Sequence, residues 1–326
     1  AGIIDAEAIG CDVVPGGEWL TAHAPSRAAA LRQAADELRS FGLPATLTDR
    51  EEMRARGIAG AEIHAGLHLG IGFGLHPLRY VRGLAAAAAR HGAALHGGSP
   101  VLAWDRQGGD HVLRTPGGEV RSRRVIVATN ADTPEALAAG LAGRVLPALS
   151  NIIVTRPLAP AEQRAQGYVA TDLAYDSRHL LHYYRLLPDG RFLLGARSST
   201  REGPIAAARM RAAMRRRLGR LFPAWADVET PHFWRGRIAL AADRLPHVAP
   251  LAGVDGAFLG MAFHGSGIAM GSWAGRALAG LAAGRIVAGD LPAPLAQPLP
   301  AFAFPILRPW YLRAAYGWYA LRDEWL

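Results

Sequence analysis

The chain has no lysine: all 36 of its basic residues are arginine, set against 27 acidic residues for a net charge of +9. Its one cysteine, Cys11, excludes an intrachain disulfide and a cysteine-rich metal site, and fits a reducing cytoplasm. No apolar run reaches the roughly 18 residues that suggest a membrane span. The histidines never fall into the pattern H-E-x-x-H, so no metal is expected. None of Ser198, Ser199 or Ser266 stands in G-x-S-x-G, which argues against a hydrolase. A G-x-G-x-x-G fingerprint is also missing.

What is present belongs to a folded protein. Hydrophobic residues make up 50% and charged residues 19% of a chain long enough for two domains with sizeable cores. Abundant Ala, Gly and Arg look like a GC-rich codon bias. The arginines are scattered except for Arg209 to Arg217, where a helical stretch reads as a solvated face. Nucleic acid is therefore not the expected partner, and an acidic small molecule suits the charge better.

Residues 10–23 read as two short strands around a Pro-Gly-Gly turn, and 26–41 as an amphipathic helix ended by Gly42. Thr48-Asp-Arg-Glu51 reads as a capping box opening a short helix through Arg56, and His76-Pro77 opens another that stops at His91-Gly92. Short strands follow at 94–96, 100–104, 110–115 and 119–121. Then comes Arg124-Val-Ile-Val-Ala-Thr129, a Val/Ile run of the kind found in a parallel sheet covered on both faces. From about 145 to 235 longer alternating strands, at 150–155, 180–185 and 191–195, read as an antiparallel sheet with a basic helix at 205–220 on one side.

The most informative stretch lies near the C-terminus. Ala257 to Phe263 is an apolar run, followed by His264-Gly265-Ser266-Gly267 and a helical pattern from Ile268 to about Ala283. Strand, glycine turn and helix aim free N–H groups and a positive helix end at one point, where a nucleotide or flavin fits. The spacing Gly265-x-Gly267-x-x-x-Gly271 misses the dinucleotide fingerprint by one residue.

The order is interleaved: sheet, nucleotide-type, sheet, nucleotide-type. With Ala128-Thr-Asn-Ala131, His76 to Leu84 and the block from Asp243-Arg-Leu-Pro246 to Gly271, the chain resembles FAD-dependent amine and amino-acid oxidoreductases of the D-amino-acid oxidase superfamily. Within that superfamily the likeness is strongest to the gamma-glutamylputrescine oxidoreductase group. The fold this implies is α/β, with an α+β substrate part. An incomplete FAD/NAD(P)-binding Rossmann-like domain is interleaved with an antiparallel-sheet substrate domain. The expected segments are 1–70 (substrate), 71–144 (FAD), 145–235 (substrate), 236–290 (FAD) and 291–326 (aromatic and basic tail). Such proteins normally open on strand–GxGxxG–helix, so the chain is expected to be a C-terminal fragment of a flavoenzyme.

The resemblance implies roles residue by residue. Val101 matches the position whose backbone meets the adenine, Ala128, Thr129 and Asn130 the strand end beside the pyrophosphate, and Gly265, Ser266, Gly267 and Ile268 the loop facing the flavin pyrimidine edge. The carboxylate-clamp position of amino-acid oxidases falls on Ile238. Arg237, one residue earlier and so on the opposite face of a strand, is placed with the cofactor-binding set, which favours an amine substrate over a simple α-amino acid. Tyr183 and Tyr184 lie on a strand that crosses the flavin in relatives. Only one can line the pocket, and Tyr184 is the one favoured. His76 borders the cleft or caps its helix, and His264 replaces the histidine that relatives carry inside the glycine loop.

The implied reaction is oxidation of an amine C–N bond by hydride transfer to noncovalent FAD, giving an imine that hydrolyses. The electrons pass to an acceptor, with O2 one candidate although the oxygen-activating lysine of sarcosine oxidase relatives is absent. The rival reading is a noncatalytic remnant or binding subunit without FAD. An oligomer is left open. The tail from Phe302 to Leu326 reads as an amphipathic helix that packs on the protein or a partner rather than on a membrane.

Overall fold

The computed structural model describes residues 1–326 apart from Ala139, Thr200 and Leu326, and is silent on the side chains of Ser198, Ser199, Glu324 and Trp325. Along the chain run α1 (Gly2–Ala6), β1 (Val14–Pro15), β2 (Glu18–Thr21), α2 (Ala28–Ser40), β3 (Ala45–Asp49), α3 (Arg50–Ala55), β4 (Ala65–Leu69) and β5 (Phe73–Gly74). Next are α4 (Pro77–Arg90), β6 (Ala103–Gln107), β7 (Asp110–Thr115), β8 (Gly118–Ser122), β9 (Val125–Val127), β10 (Leu146–Pro157), α5 (Pro160–Gln166), β11 (Leu173–Asp176), β12 (His182–Leu186) and β13 (Arg191–Ser199). The last elements are α6 (Pro204–Leu221), β14 (His232–Leu240), β15 (His247–Pro250), β16 (Ala257–Met261), α7 (Gly267–Ala282) and α8 (Arg308–Trp325).

Two compact units divide these elements. Unit 1 holds Ala1–Ala93, Ser150–Gly236 and Ala315–Leu326, and unit 2 holds Ala94–Leu149 and Arg237–Ala314. Helix α4 therefore belongs to unit 1.

Unit 1 is organised by a sheet of order β14-β10-β13-β12-β11-β2-β4-β3. The pairs β3–β4, β4–β2, β11–β12 and β12–β13 are antiparallel, but β2 and β11, from distant parts of the chain, run parallel. Strict alternation sorts its side chains. Trp19, Ala174, Tyr184, Leu186, Phe192, Leu194 and Ala196 share one face and pack with Met214, Leu218 and Leu221 of α6 and with Tyr168, Phe222 and Trp225. Phe192 sits between Phe222 and Trp225 at centroid distances of 4.8 Å. Each such buried ring contributes on the order of 1.5–3 kcal/mol of transfer free energy.

Local capping corrects one sequence reading. The capping box of α3 is Asp49 with Glu52, one residue later than expected: Glu52 N–H donates to Asp49 (2.9 Å) and Asp49 N–H donates to Glu52 (3.1 Å). Thr48 is unavailable as the cap because it is still in β3, its hydroxyl donating to the Gly66 carbonyl.

Unit 2 contains two three-stranded sheets. β6-β7-β8 is an antiparallel meander; β15-β16-β9 joins β9 parallel to β16, with Val127 opposite Leu259. Residues 94–96 form no strand. The Val/Ile run is not covered on both faces either: Val127 is buried with Leu259 and Met261, whereas Ile126 is 41% exposed, because alternation turns it to the opposite side. Among the described residues no helix is long and apolar enough to cross a membrane, and no cluster of His, Cys, Asp or Glu could hold a metal ion. Cys11 is a core residue beside Ile9 and Tyr80.

Candidate active site

In unit 2 the ends of two parallel strands meet the start of a helix. The Asn130 side chain, just past β9, accepts a hydrogen bond from the Ala262 N–H just past β16 (3.0 Å). Three non-glycine residues around this point have positive φ: Asn130 (48°), Ala262 (62°) and His264 (53°). A left-handed conformation at such residues costs about 1–3 kcal/mol each and concentrates at ligand sites. Gly265, at φ 109°, takes the backbone through a turn that a side chain would strain further.

The strained turn leads directly into α7. Ser266 is its N-cap residue but supplies no side-chain cap. Its own N–H donates to Phe263 O, and the first helical bond arrives from Met270 (3.0 Å). The N–H groups of Gly267, Ile268 and Ala269 thus head an uncapped helix and point out of its positive end. This donor set suits an electron-rich or anionic ligand edge, and the expected flavin fits it.

The other expected cofactor residues fall as follows. Ala128 and Thr129 continue from β9, with the Thr129 hydroxyl bonded to Thr133 (2.8 Å). Arg237 pairs with Asp132 at 2.6 Å, next to that strand end. His264 Nε2 accepts from the Ala241 N–H at 3.3 Å, which ties the turn to the segment after β14. Val101 lies two residues before β6, the first strand of the meander, and not on the β9–β16 sheet.

Unit 1 carries a cavity of about 1080 Å³, mostly apolar, whose lining includes Ile152, Leu173, Tyr183, Arg185, Leu193, Trp234 and His76. Both Tyr183 and Tyr184 border this cavity, but their side chains leave the strand on opposite faces. Tyr184 points into the helix-covered core, its hydroxyl bonded to Thr21 at 2.7 Å. Tyr183, one residue away, stands on the opposite face, its hydroxyl bonded to Ser150 at 2.7 Å. Its ring lies flat over Gly195 of the neighbouring strand, where any Cβ would come within 2.0 Å of it. Burial pushes the Tyr183 hydroxyl up from its ordinary pKa, so it stays protonated.

His76 lines the cavity and also caps α4, its Nδ1 accepting from Arg79 N–H at 3.5 Å. The cap uses one ring nitrogen and leaves Nε2 for the cavity. Arg185, two residues from Tyr183 and on the same face, escaped sequence reading. The signal was there: Tyr184-x-Leu186 and Phe192-x-Leu194-x-Ala196 are the apolar parity, so Tyr183 and the charged Arg185 take the other.

Comparison with known proteins decides the family. Residues 1–281 match the family model described as DAO, FAD dependent oxidoreductase. The chain belongs to this family of FAD-dependent oxidoreductases. It is 32% identical over 290 residues to "Probable oxidoreductase OrdL" of Rhizobium meliloti (strain 1021), covering 87% of this chain and 64% of the relative. It is 28% identical to the gamma-glutamylputrescine oxidoreductase of Escherichia coli (strain K12), covering 97% and 72%. The DAO chain thus spans less than two thirds of the OrdL proteins it matches, 64% of one and 46% of that from Haemophilus influenzae. Among solved structures, glycine oxidase from Geobacillus kaustophilus shares the fold with a TM-score of 0.76 at 21% identity, covering 93% of this chain and 79% of that one. Iminodiacetate oxidase from Chelativorans sp. BNC1 does so at 0.72 and 18%, covering 93% and 82%.

Proposed function

We propose that the complete protein is an FAD-dependent oxidoreductase that oxidises the C–N bond of a primary or secondary amine, in the manner of the gamma-glutamylputrescine oxidoreductase it resembles. The observation that carries this reading is the strained, uncapped turn at Ala262–Ile268, tied to the β9 end through Asn130. Bound FAD supplies the hydride acceptor.

The chain's own residues supply binding and orientation. Gly265, Ser266, Gly267 and Ile268 offer backbone donors to the flavin ring edge; Ala128, Thr129 and Asn130 form the wall beside the pyrophosphate; Val101 meets the adenine; and Arg237 braces the wall through Asp132. His264 is a positioning residue, holding the turn through the Ala241 N–H. On the substrate side, 1–70 and 145–235, joined by residues 71–93 that the expected cofactor segment 71–144 had included, provide the apolar surface that excludes water from a neutral amine, and 94–144 and 236–290 are the cofactor segments. Tyr183, with Tyr184 in the same cavity wall, and His76 orient the amine through a hydroxyl and a ring nitrogen. No acid–base residue is required, because an amine bound uncharged needs only orientation and desolvation. The tail, 291–326, packs on the protein: Asp323 accepts from the backbone N–H groups of His179 and Leu180, both at 2.9 Å.

The test is anaerobic mixing of the purified, complete protein with primary and secondary amines. Bleaching of a visible flavin band is the expected result. A protein that retains no flavin under FAD saturation supports the noncatalytic reading instead.

A further inference from the structure

In the unit 1 sheet β13 lies between β12 and β10, so the Tyr183 side chain reaches Ser150 of β10 only by lying across β13. It crosses at Gly195, its partner in register, where a Cβ would come within 2.5 Å of the phenolic oxygen. The two hydroxyls then meet at 2.7 Å. Tyr183 lines the cavity, whereas Ser150 is half-buried and stands outside the lining, so it reaches a bound molecule through the tyrosine. The chemistry of the pair sets the direction of the bond. A phenol, with an ordinary pKa of about 10, gives up its proton more readily than an aliphatic alcohol and is the better donor. The adjoining positions on this face, Ile152 on β10 and Leu193 on β13, are apolar cavity-lining residues with no side-chain acceptor. Arg197, whose charge also acts on this hydroxyl, carries donors only and does not compete for the phenolic proton.

We propose that Ser150 is a positioning residue for amine oxidation: it accepts the phenolic proton of Tyr183 and so turns the tyrosine oxygen, as an acceptor, toward the amine N–H. This rests on the amine-oxidising reading above and deepens it. When hydride leaves the carbon beside nitrogen for the bound flavin, it takes the C–H electron pair with it, and the nitrogen lone pair becomes the second C–N bond of an iminium ion. That lone pair must be free. An oxygen that accepts from the N–H leaves it free, whereas a phenolic O–H donated to the nitrogen occupies it and resists the reaction. Ser150 selects the first arrangement over the second without touching the substrate.

The probes are hexylamine and N-methylhexylamine, with the complete flavin-loaded protein held anaerobically at one mildly alkaline pH. Binding is read by quenching of tryptophan fluorescence, since Trp234 lines the cavity, and the oxidative step by the limiting rate of flavin bleaching. Ser150→Ala releases the phenolic proton toward the amine, so binding should tighten about 3- to 10-fold while bleaching slows about 10-fold or more. Ser150→Thr keeps the hydroxyl and should restore both. In a Tyr183→Phe background the added Ser150→Ala change should move neither quantity by more than about 2-fold, because the group it acts through is gone. The proposal is overturned if Ser150→Ala changes nothing, if it weakens binding and slows bleaching together, or if its effect persists in the Tyr183→Phe background. If Ser150→Ala tightens binding in the predicted way but neither amine bleaches the flavin of the native protein, the Ser150–Tyr183 tie stands and the amine-oxidising reading fails. If both amines bleach it at a rate indifferent to Ser150, the amine reading stands and the tie fails. Failure of the native protein to bind either amine sinks both.

Discussion

The two candidate ligand regions are made of different material. The turn at 262–268 in unit 2 is a backbone site: its donors are amides, its shape comes from φ angles, and Ser266 contributes no side-chain bond. The cavity in unit 1 is a side-chain site, where Tyr183 and Arg185 define the chemistry because one face of β12 is closed by α6 and the other is not. A backbone site tolerates side-chain replacement except where a residue shapes the turn. A side-chain site changes character with a single residue and leaves the fold alone.

The strongest challenge to that contrast is to substitute the adjacent tyrosines. Tyr184→Ala should cost about 3–5 kcal/mol of stability by opening a hole in the aromatic core, measured by urea unfolding. Tyr183→Phe, which keeps the ring over Gly195, should cost about 1 kcal/mol or less and act on substrate kinetics. Equal losses would mean that the two faces are not distinct.

Acid should act on unit 1 through a buried ionic cluster. Asp176 accepts from His182 Nδ1 (2.7 Å) and His182 N–H (2.9 Å) and pairs with Arg178, which also pairs with Glu62. Burial pushes the Asp176 carboxyl up, but the hydrogen bond and charge of His182 and the charge of Arg178 outweigh it, and the group is held below the ordinary carboxylate range. A depressed folded pKa gives stability that is full above the unfolded value of about 3.9 and lost as pH falls through the folded one. The thermal midpoint should therefore hold from neutrality to about pH 5 and drop below about pH 4. Asp176→Asn should cost about 3 kcal/mol or more and flatten the drop, as a calorimetric series would show.

In unit 2, Asn130→Ala removes the acceptor for the buried Ala262 N–H and should cost about 1–3 kcal/mol, together with weaker FAD retention. The smallest effect is expected at Tyr168, whose fully buried hydroxyl has no partner among the described residues. Tyr168→Phe should be neutral or stabilising by up to about 1 kcal/mol, read from the same unfolding curves.

The contrast also explains what could be read from sequence. The strand–glycine–helix turn was visible because Gly265, Gly267 and the apolar run of β16 are local signals. The Asn130–Ala262 bond joins residues 132 positions apart in sequence, and only pairing of β9 with β16 brings them together. At β12 the choice of face depends on what packs beneath it. Tyr183 and Tyr184 are equivalent in propensity, and α6 with Trp225 decides between them. Arg185 shares the strand parity of Tyr183, which the sequence shows, but one arginine among 36 does not stand out until its burial is known.

The most direct test measures two quantities, the FAD dissociation constant and the amine KM, on the complete protein carrying either Asn130→Ala or Tyr183→Phe. A crossed pattern is predicted: Asn130→Ala weakens FAD by about 10-fold with little effect on KM, and Tyr183→Phe does the reverse. If both variants shift both quantities alike, the division into a backbone-made cofactor site and a side-chain-made substrate site is wrong.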